Sequence, residues 1–269
     1  MKLKSVFLVF ITTGLIIGCS KAQEKPRYLS FKYEKDSLKV WVHNGFLCPM
    51  FLKFKKATDQ EMHIVDFEGQ ESKQILAFPT TEMDSISILE NYTFSGFWFG
   101  TSHLKSYDTL YNYALPFLKG KRYKVLQGQN TNHTHQGDFS RYAIDFKMNI
   151  GQTVCAMRGG LVVRVKDHNT KGGRGKKYYP YANLIIIYHE DGTFAQYVHL
   201  KHKGSLVKAG DTVKKGQPIG FSGNTGQSSG PHLHFAVYKP TATGLVSIPY
   251  ILDSIPSERY TKGNYAVNN

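Results

Sequence analysis

The sequence predicts a mainly β protein, with a β-sandwich-like N-terminal domain followed by a glycine-rich β-sheet domain. Three observations carry that prediction. Short runs rich in β-branched and aromatic residues alternate at period 2 through the first half. The second half holds continuous apolar runs of strand length, at residues 161–165 and 184–188, punctuated by glycine. The second half shows no helical periodicity of convincing length.

The chain opens with Lys2 and Lys4 ahead of an apolar run of 13 residues, 6–18. A spanning helix needs about 20, so residues 1–18 read as a signal peptide and not as a permanent anchor. The run ends Ile16-Ile17-Gly18-Cys19, which resembles a bacterial lipobox and makes Cys19 the expected lipidation site. The alternative is an ordinary secretory signal with an incidental cysteine. Cleavage before Cys19 would leave 251 residues carrying +12, joined to the membrane through the lipid. Residues 19–27 are polar, contain Pro26 and suit a tether.

Residues 28–127 are expected to form the β-rich accessory domain, with strands at 38–42, 85–89 and 92–99. His43, His63 and His103 are scattered there without mutual spacing and suggest no site. Residues 128–252 form the second domain, and residues 253–269 read as a C-terminal tail. Further strands are expected at 194–198 and 235–238. Cys48 and Cys155 lie 107 apart among apolar neighbours and read as buried free thiols, not a disulfide.

Composition narrows the class. With 41% apolar, 20% charged and 13% aromatic residues, the 269-residue chain is neither wholly disordered nor a multispan membrane protein. Its net charge of +14 asks for an anionic partner: nucleic acid, anionic lipid or wall polymer. The signal segment removes the chain from the cytoplasm, so no nucleic-acid partner is expected.

Eight of the eleven histidines lie between His133 and His234. In Gly230-Pro231-His232-Leu233-His234-Phe235 the alternation of a strand places His232 and His234 on one face, with Leu233 toward the core. Tyr197-Val198-His199-Leu200 closes another strand, where the same alternation pairs His199 with Tyr197 and Val198 with Leu200. Ile144 and Phe146 are core-like, which turns Asp145 outward. Two histidines and one aspartate meet the ligand count of a catalytic zinc site and leave its fourth position open.

The stretch from 135 to 240 resembles the LytM/lysostaphin-type zinc metalloendopeptidases that cut peptidoglycan peptides. The resemblance is carried by His135-Gln136-Gly137, Tyr142-Ala143-Ile144-Asp145-Phe146, Tyr197-Val198-His199-Leu200, Gly223-Asn224-Thr225-Gly226 and the His232/His234 segment, in fixed order. It implies a hybrid-barrel peptidase fold and one Zn2+ per chain, held by His135, Asp145 and His234. It also implies catalytic roles for His199 and His232, with peptidoglycan as the partner in the cell envelope. His135 and Asp145 stand ten apart, where many members have three intervening residues. His133 is therefore an alternative ligand, although Gly137 favours His135.

The seven glycines between 204 and 230 lack the Gly-Lys-Ser/Thr ending of a phosphate loop and read as turn glycines. The run Lys171-Gly172-Gly173-Arg174-Gly175-Lys176-Lys177, followed by Tyr178-Tyr179-Pro180-Tyr181, is either a solvated loop or a cleft wall for anionic stem peptides. His168, His189 and His202 are expected at the surface. The alternative function is a catalytically silent, wall-binding or amidase-activating lipoprotein of the same fold. A phosphocarrier is disfavoured by the signal segment, and a general extracellular protease stays open.

Overall fold

The computed structural model describes residues 28–131 and 134–269. The expected signal peptide, Cys19, the tether and the alternative ligand His133 lie outside the described residues. The described chain divides into two compact units. One comprises residues 28–103 with 242–244, and the other comprises the rest of 104–269.

In the first unit the strands are β1 (Leu29–Glu34), β2 (Ser37–His43), β3 (Met50–Lys56), β4 (His63–Phe67), β5 (Ser72–Pro79) and β6 (Tyr92–Phe99). They form two three-stranded sheets, ordered β1-β2-β5 and β4-β3-β6. Alternation places Leu38, Val40 and Val42 of β2 inside, where they share one core with Met50, Leu52, Phe54, Phe67 and Phe94 of the other sheet. The sandwich-like expectation holds. The strand expected at 85–89 does not, because helix α1 (Ser85–Asn91) occupies it. Asp84 caps α1 by accepting the Ser87 N–H at 2.8 Å. Ile86 and Ile88 would share a face in a strand, yet Ile88 is fully buried and Ile86 is 63% exposed. Five residues are too few for the apolar spacing to separate the two periods, and the cap decides.

The second unit carries β7 (Asn112–Tyr113), β8 (Arg122–Gln127), β9 (Ile144–Phe146), β10 (Thr153–Cys155), β11 (Gly160–Lys166) and β12 (Gly172–Gly173). It continues with β13 (Leu184–Tyr188), β14 (Phe194–Val198), β15 (Leu200–Ser205), β16 (Thr212–Val213), β17 (Pro218–Ser222) and β18 (Gly226–Gln227). Then come β19 (Leu233–Thr241), β20 (Gly244–Ser247), β21 (Ile251–Leu252), β22 (Ile255–Pro256) and β23 (Tyr265–Val267). The large sheet runs β16-β11-β13-β14-β19-β9-β8-β23, beside a three-stranded β10-β17-β15 sheet and a parallel β12-β18 pair. Its core draws Ile185 and Ile187 from β13, Ala195 and Tyr197 from β14, Leu233, Phe235 and Val237 from β19, and Ile144 and Phe146 from β9. Those side chains commit one face of β9 and β19 to the core and leave the other for Asp145 and His234.

Both expected boundaries shift. The units divide after His103 and not after Gln127, because Tyr113, Leu115, Phe117 and Val125 pack into the second core. The expected tail, 253–269, is integral: Tyr260 and Ala266 lie in that core and β23 pairs with β8. Cys48 and Cys155 are buried free thiols, as expected. His189 is corrected from surface to fully buried. It follows β13 directly and donates from Nδ1 to the Gly159 carbonyl at 2.8 Å. Burial, the largest influence on it, pushes its pKa down to about 4.

The charge is segregated. Residues 28–103 hold 7 Lys and no Arg against 10 Asp and Glu, whereas residues 104–269 hold 22 Lys and Arg against 9 Asp and Glu. The cationic excess therefore belongs to the unit that contains His135, His199, His232 and His234.

Candidate metal centre and its histidines

Strands β9 and β19 run antiparallel with His234 directly opposite Asp145. Direct cross-strand partners share a face, so the core packing of Ile144, Phe146, Leu233 and Phe235 aims both polar side chains the other way. His234 Nδ1–H donates to Asp145 Oδ1 at 2.9 Å. His135 enters from the segment after β8, in front of the short helix Gly137–Ser140. The three residues each offer a donor atom within 4.8 Å of the others.

His135 is the informative member. Its Nδ1–H donates to the Gly128 carbonyl at 2.8 Å, which fixes the tautomer and leaves Nε2 with a lone pair. That Nε2 is buried without a hydrogen-bond partner, 3.3 Å from Asp145 Oδ1. A buried lone pair facing a carboxylate oxygen is an acceptor against an acceptor, which folding would avoid unless a cation joined them. The donor set thus fits a metal ion by its own chemistry. Two imidazole nitrogens and a carboxylate oxygen suit zinc in particular.

The electrostatics follow from burial and proximity. Burial alone would raise the Asp145 pKa, but the neighbouring His135 and His234 imidazoles hold it well below the usual carboxylate range. Burial alone would lower His135, and the neighbouring Asp145 carboxylate more than compensates, raising it. Burial keeps His234 below its ordinary value despite the same carboxylate.

His199 and His232 stand beside this cluster. Their ring centroids are 4.5 Å apart, and His199 lies 6.0 Å from His234. The route to that position differs from the expected alternation. Tyr197 points into the core, where its hydroxyl accepts the Met157 N–H at 2.7 Å, and Leu200 is also core. His199 joins the site face because its backbone is left-handed, with φ of 66°, in the break between β14 and β15. Gly223 must be glycine here: a Cβ would sit 2.6 Å from the Leu200 carbonyl carbon and 2.8 Å from the His199 oxygen. Burial first, then His232 and His234, push the His199 pKa down to about 3, so its ring is neutral.

Both flanking imidazoles are pinned through Nδ1. His199 donates to the Thr225 carbonyl at 2.7 Å, and His232 to the Gly230 carbonyl at 2.8 Å. Ser228 Oγ lies 3.1 Å from His232 Nδ1 and itself donates to Gly230. Each Nε2 is therefore the free lone pair, and that of His232 is 3.9 Å from Asp145 Oδ2. Sequence reasoning missed these supports, because a backbone carbonyl leaves no mark in a sequence. It also missed Asn183, which is fully buried and donates to the carbonyls of Asn169 and Leu200 at 2.9 and 3.3 Å. The backbone N–H of Asn183 donates to Thr225 Oγ1 at 3.0 Å. A polar residue at the head of the apolar run Leu184–Tyr188 was the available signal.

A His-Asp-His donor set on one sheet face, with two neutral-capable imidazoles beside it, defines a candidate mononuclear metal site of the hydrolytic class. Residues 139–245 match the model of peptidase family M23. The matched span includes Asp145, His199, His232 and His234 and begins four residues after His135. The chain is 36% identical over 118 residues to the peptidoglycan DD-endopeptidase ShyA of Vibrio cholerae, covering 42% of this chain and 24% of that protein. It is 44% identical over 95 residues to lysostaphin of Staphylococcus staphylolyticus, covering 35% and 18%. An uncharacterized metalloprotease of Buchnera aphidicola is 36% identical over 132 residues, covering 46% and 30%. The chain thus spans less than a third of the length of these relatives. Among solved structures, the catalytic domain of lysostaphin from Staphylococcus simulans shares 36% identity over 44% of this chain and 78% of its own, with a TM-score of 0.32.

Proposed function

We propose that this chain is a zinc-dependent endopeptidase that hydrolyses peptide bonds in peptidoglycan cross-links or stem peptides. The observation that carries the reading is the partnerless, buried Nε2 of His135 facing Asp145 within the His135–Asp145–His234 set. In this reading one Zn2+ is held by those three residues, and the chain acts in the cell envelope, anchored by lipid on Cys19. The peptidoglycan endopeptidases among its relatives support the substrate class.

Bound zinc would polarise the scissile carbonyl and make water a nucleophile near neutral pH. The chain's own residues supply the proton traffic. His199 and His232 keep Nδ1–H on backbone carbonyls, so each presents Nε2 without a change of tautomer. One imidazole takes the proton of the attacking water and returns it to the leaving amine. The other stabilises the developing oxyanion once its Nε2 carries a proton to donate. The core packing of Leu233 and Phe235 holds the strand that carries His234.

The experiment uses the full chain, its metal content and isolated wall sacculi. About one zinc per chain and release of cross-link peptides are expected. His234→Ala should lose the metal. His232→Ala should keep the metal and lose turnover by about 10²–10⁴-fold. Sacculi cut at full rate after metal removal would refute the mechanism.

A further inference from the structure

We propose that the basic, tyrosine-rich segment 171–181 is a carboxylate-binding wall of this site that selects stem peptides bearing free carboxylates. The proposal rests on the wall-peptidase reading above and adds to it the charge of the preferred substrate and the element that reads it.

The segment is built into the site. Strand β12 pairs in parallel with β18, Gly172 opposite Gly226 and Gly173 opposite Gln227. The Gly226 N–H donates to the Lys171 carbonyl at 2.9 Å, and the Ser228 N–H to the Gly173 carbonyl at 3.1 Å. The same stretch, 225–228, holds both flanking imidazoles: His199 through the Thr225 carbonyl, and His232 with Ser228 at its Nδ1. Contact between the two backbones is direct, since a Cβ on Gly172 would lie 1.8 Å from the Asn224 carbonyl oxygen. A ligand held by this segment is therefore held beside the histidines.

Its side chains form a cationic surface with an ordered base. The Tyr178 ring lies against Gly173, within 2.7 Å of where a Cβ would stand. Lys177 Nζ is 5.3 Å from the Tyr178 ring centre, and Lys171 Nζ is 5.2 Å from that of Tyr181. Lys171, Arg174, Lys176 and Lys177 are all exposed. No Asp or Glu occurs from 168 to 189, so the segment brings no counter-ion of its own. A peptide substrate answers that charge with its carboxylates. Exposed ion pairs are individually weak, so the segment tunes affinity through several contacts and leaves the proton chemistry to the histidines.

The test compares one stem peptide with free carboxylates against the same peptide with those carboxylates amidated. Binding is measured by anisotropy on the full chain carrying His232→Ala, which leaves the peptides uncut, and cleavage of cross-linked forms is measured on the wild-type chain. The free-carboxylate peptide should bind about tenfold tighter at low salt, a preference that fades as salt screens it. In cleavage the preference should fall on KM, with kcat unchanged. Arg174→Gln/Lys176→Gln/Lys177→Gln should abolish the preference, whereas Lys119→Gln/Lys121→Gln/Lys262→Gln, equal in charge removed, should retain it. Equal binding of the two peptides by the unaltered segment overturns the proposal, as does a preference that survives the first triple variant. Displacement of the peptide by inorganic phosphate at matched ionic strength also overturns it, because the segment would then be a general anion surface. Failure to cleave any wall peptide would strike the wall-peptidase reading alone, since the binding comparison is read without turnover.

Discussion

Acidification should destabilise the second unit through His189, a residue with no part in the proposed chemistry. The ring is fully buried, donates from Nδ1 to Gly159, and leaves Nε2 without a partner. Its pKa falls from the ordinary 6.5 to about 4 in the folded chain. Below pH 6.5 the unfolded chain takes up a proton that the folded chain refuses until about pH 4. The contribution is therefore intact above pH 6.5 and is lost as pH falls toward 4. A shift of this size corresponds to about 3 kcal/mol at 1.36 kcal/mol per unit. His189→Asn keeps a donor near the Nδ1 position and cannot titrate. Both tryptophans, Trp41 and Trp98, lie in the first unit, so fluorescence would report on the wrong half. Hydrogen exchange of β13 and β14, corrected for intrinsic rate, reads the correct one. Between pH 7 and 4.5 the wild-type chain should lose more opening free energy than His189→Asn, by about 2–3 kcal/mol. Ionisations common to both proteins cancel in that difference. Parallel profiles would refute the reasoning.

Three further outcomes are expected. Asp84→Ala removes the cap of α1 and should cost about 1 kcal/mol, measured by urea unfolding followed through Trp41 and Trp98; no change would return residues 85–89 to a strand-like segment. Asn183→Ala strands the N–H and carbonyl of Asn169, while the Leu200 carbonyl keeps the Thr225 hydroxyl, and should cost about 2–4 kcal/mol. It should also lower kcat by about 10²-fold through displacement of His199, with zinc content unchanged; normal kcat in the folded variant would remove Asn183 from the positioning of that ring. Gly172→Ala forces a Cβ into the Asn224 carbonyl, so β12 should separate from β18 and trypsin should cut at Arg174 far faster than in the wild-type chain. An unchanged digestion rate would show that the pairing tolerates the methyl group.

The β architecture was readable because apolar alternation and core burial are the same fact seen twice. Leu233 between His232 and His234, and Asp145 between Ile144 and Phe146, announced their faces in the sequence. Helix α1 was not readable, since Ser85-Ile86-Ser87-Ile88 alternates like a strand and only the cap at Asp84 separates the cases. His199 lies beside His232 and His234, but it arrives there by a path that strand alternation does not describe. A strand rule placed it with Tyr197, whereas a left-handed residue reverses the face at that point. A residue at positive φ without glycine gives no signature in composition. The domain boundary was misjudged for a related reason: Tyr113, Leu115 and Phe117 look like the strands before them, and only long-range packing says which core they fill.

Strand β18 is two residues long, yet the stretch around it meets the histidines on one side and the cationic segment on the other. Under the proposed function, rate and selectivity share one physical support. Exchanging residues 171–181 for a segment of different length would shift 225–228 and reorient the imidazoles. New specificities should therefore arise more readily by changing side chains on a segment of constant length than by grafting a foreign loop. For an engineer, the glycine pair 172–173 is the fixed hinge plate, and the residues from 174 to 181 are the replaceable surface.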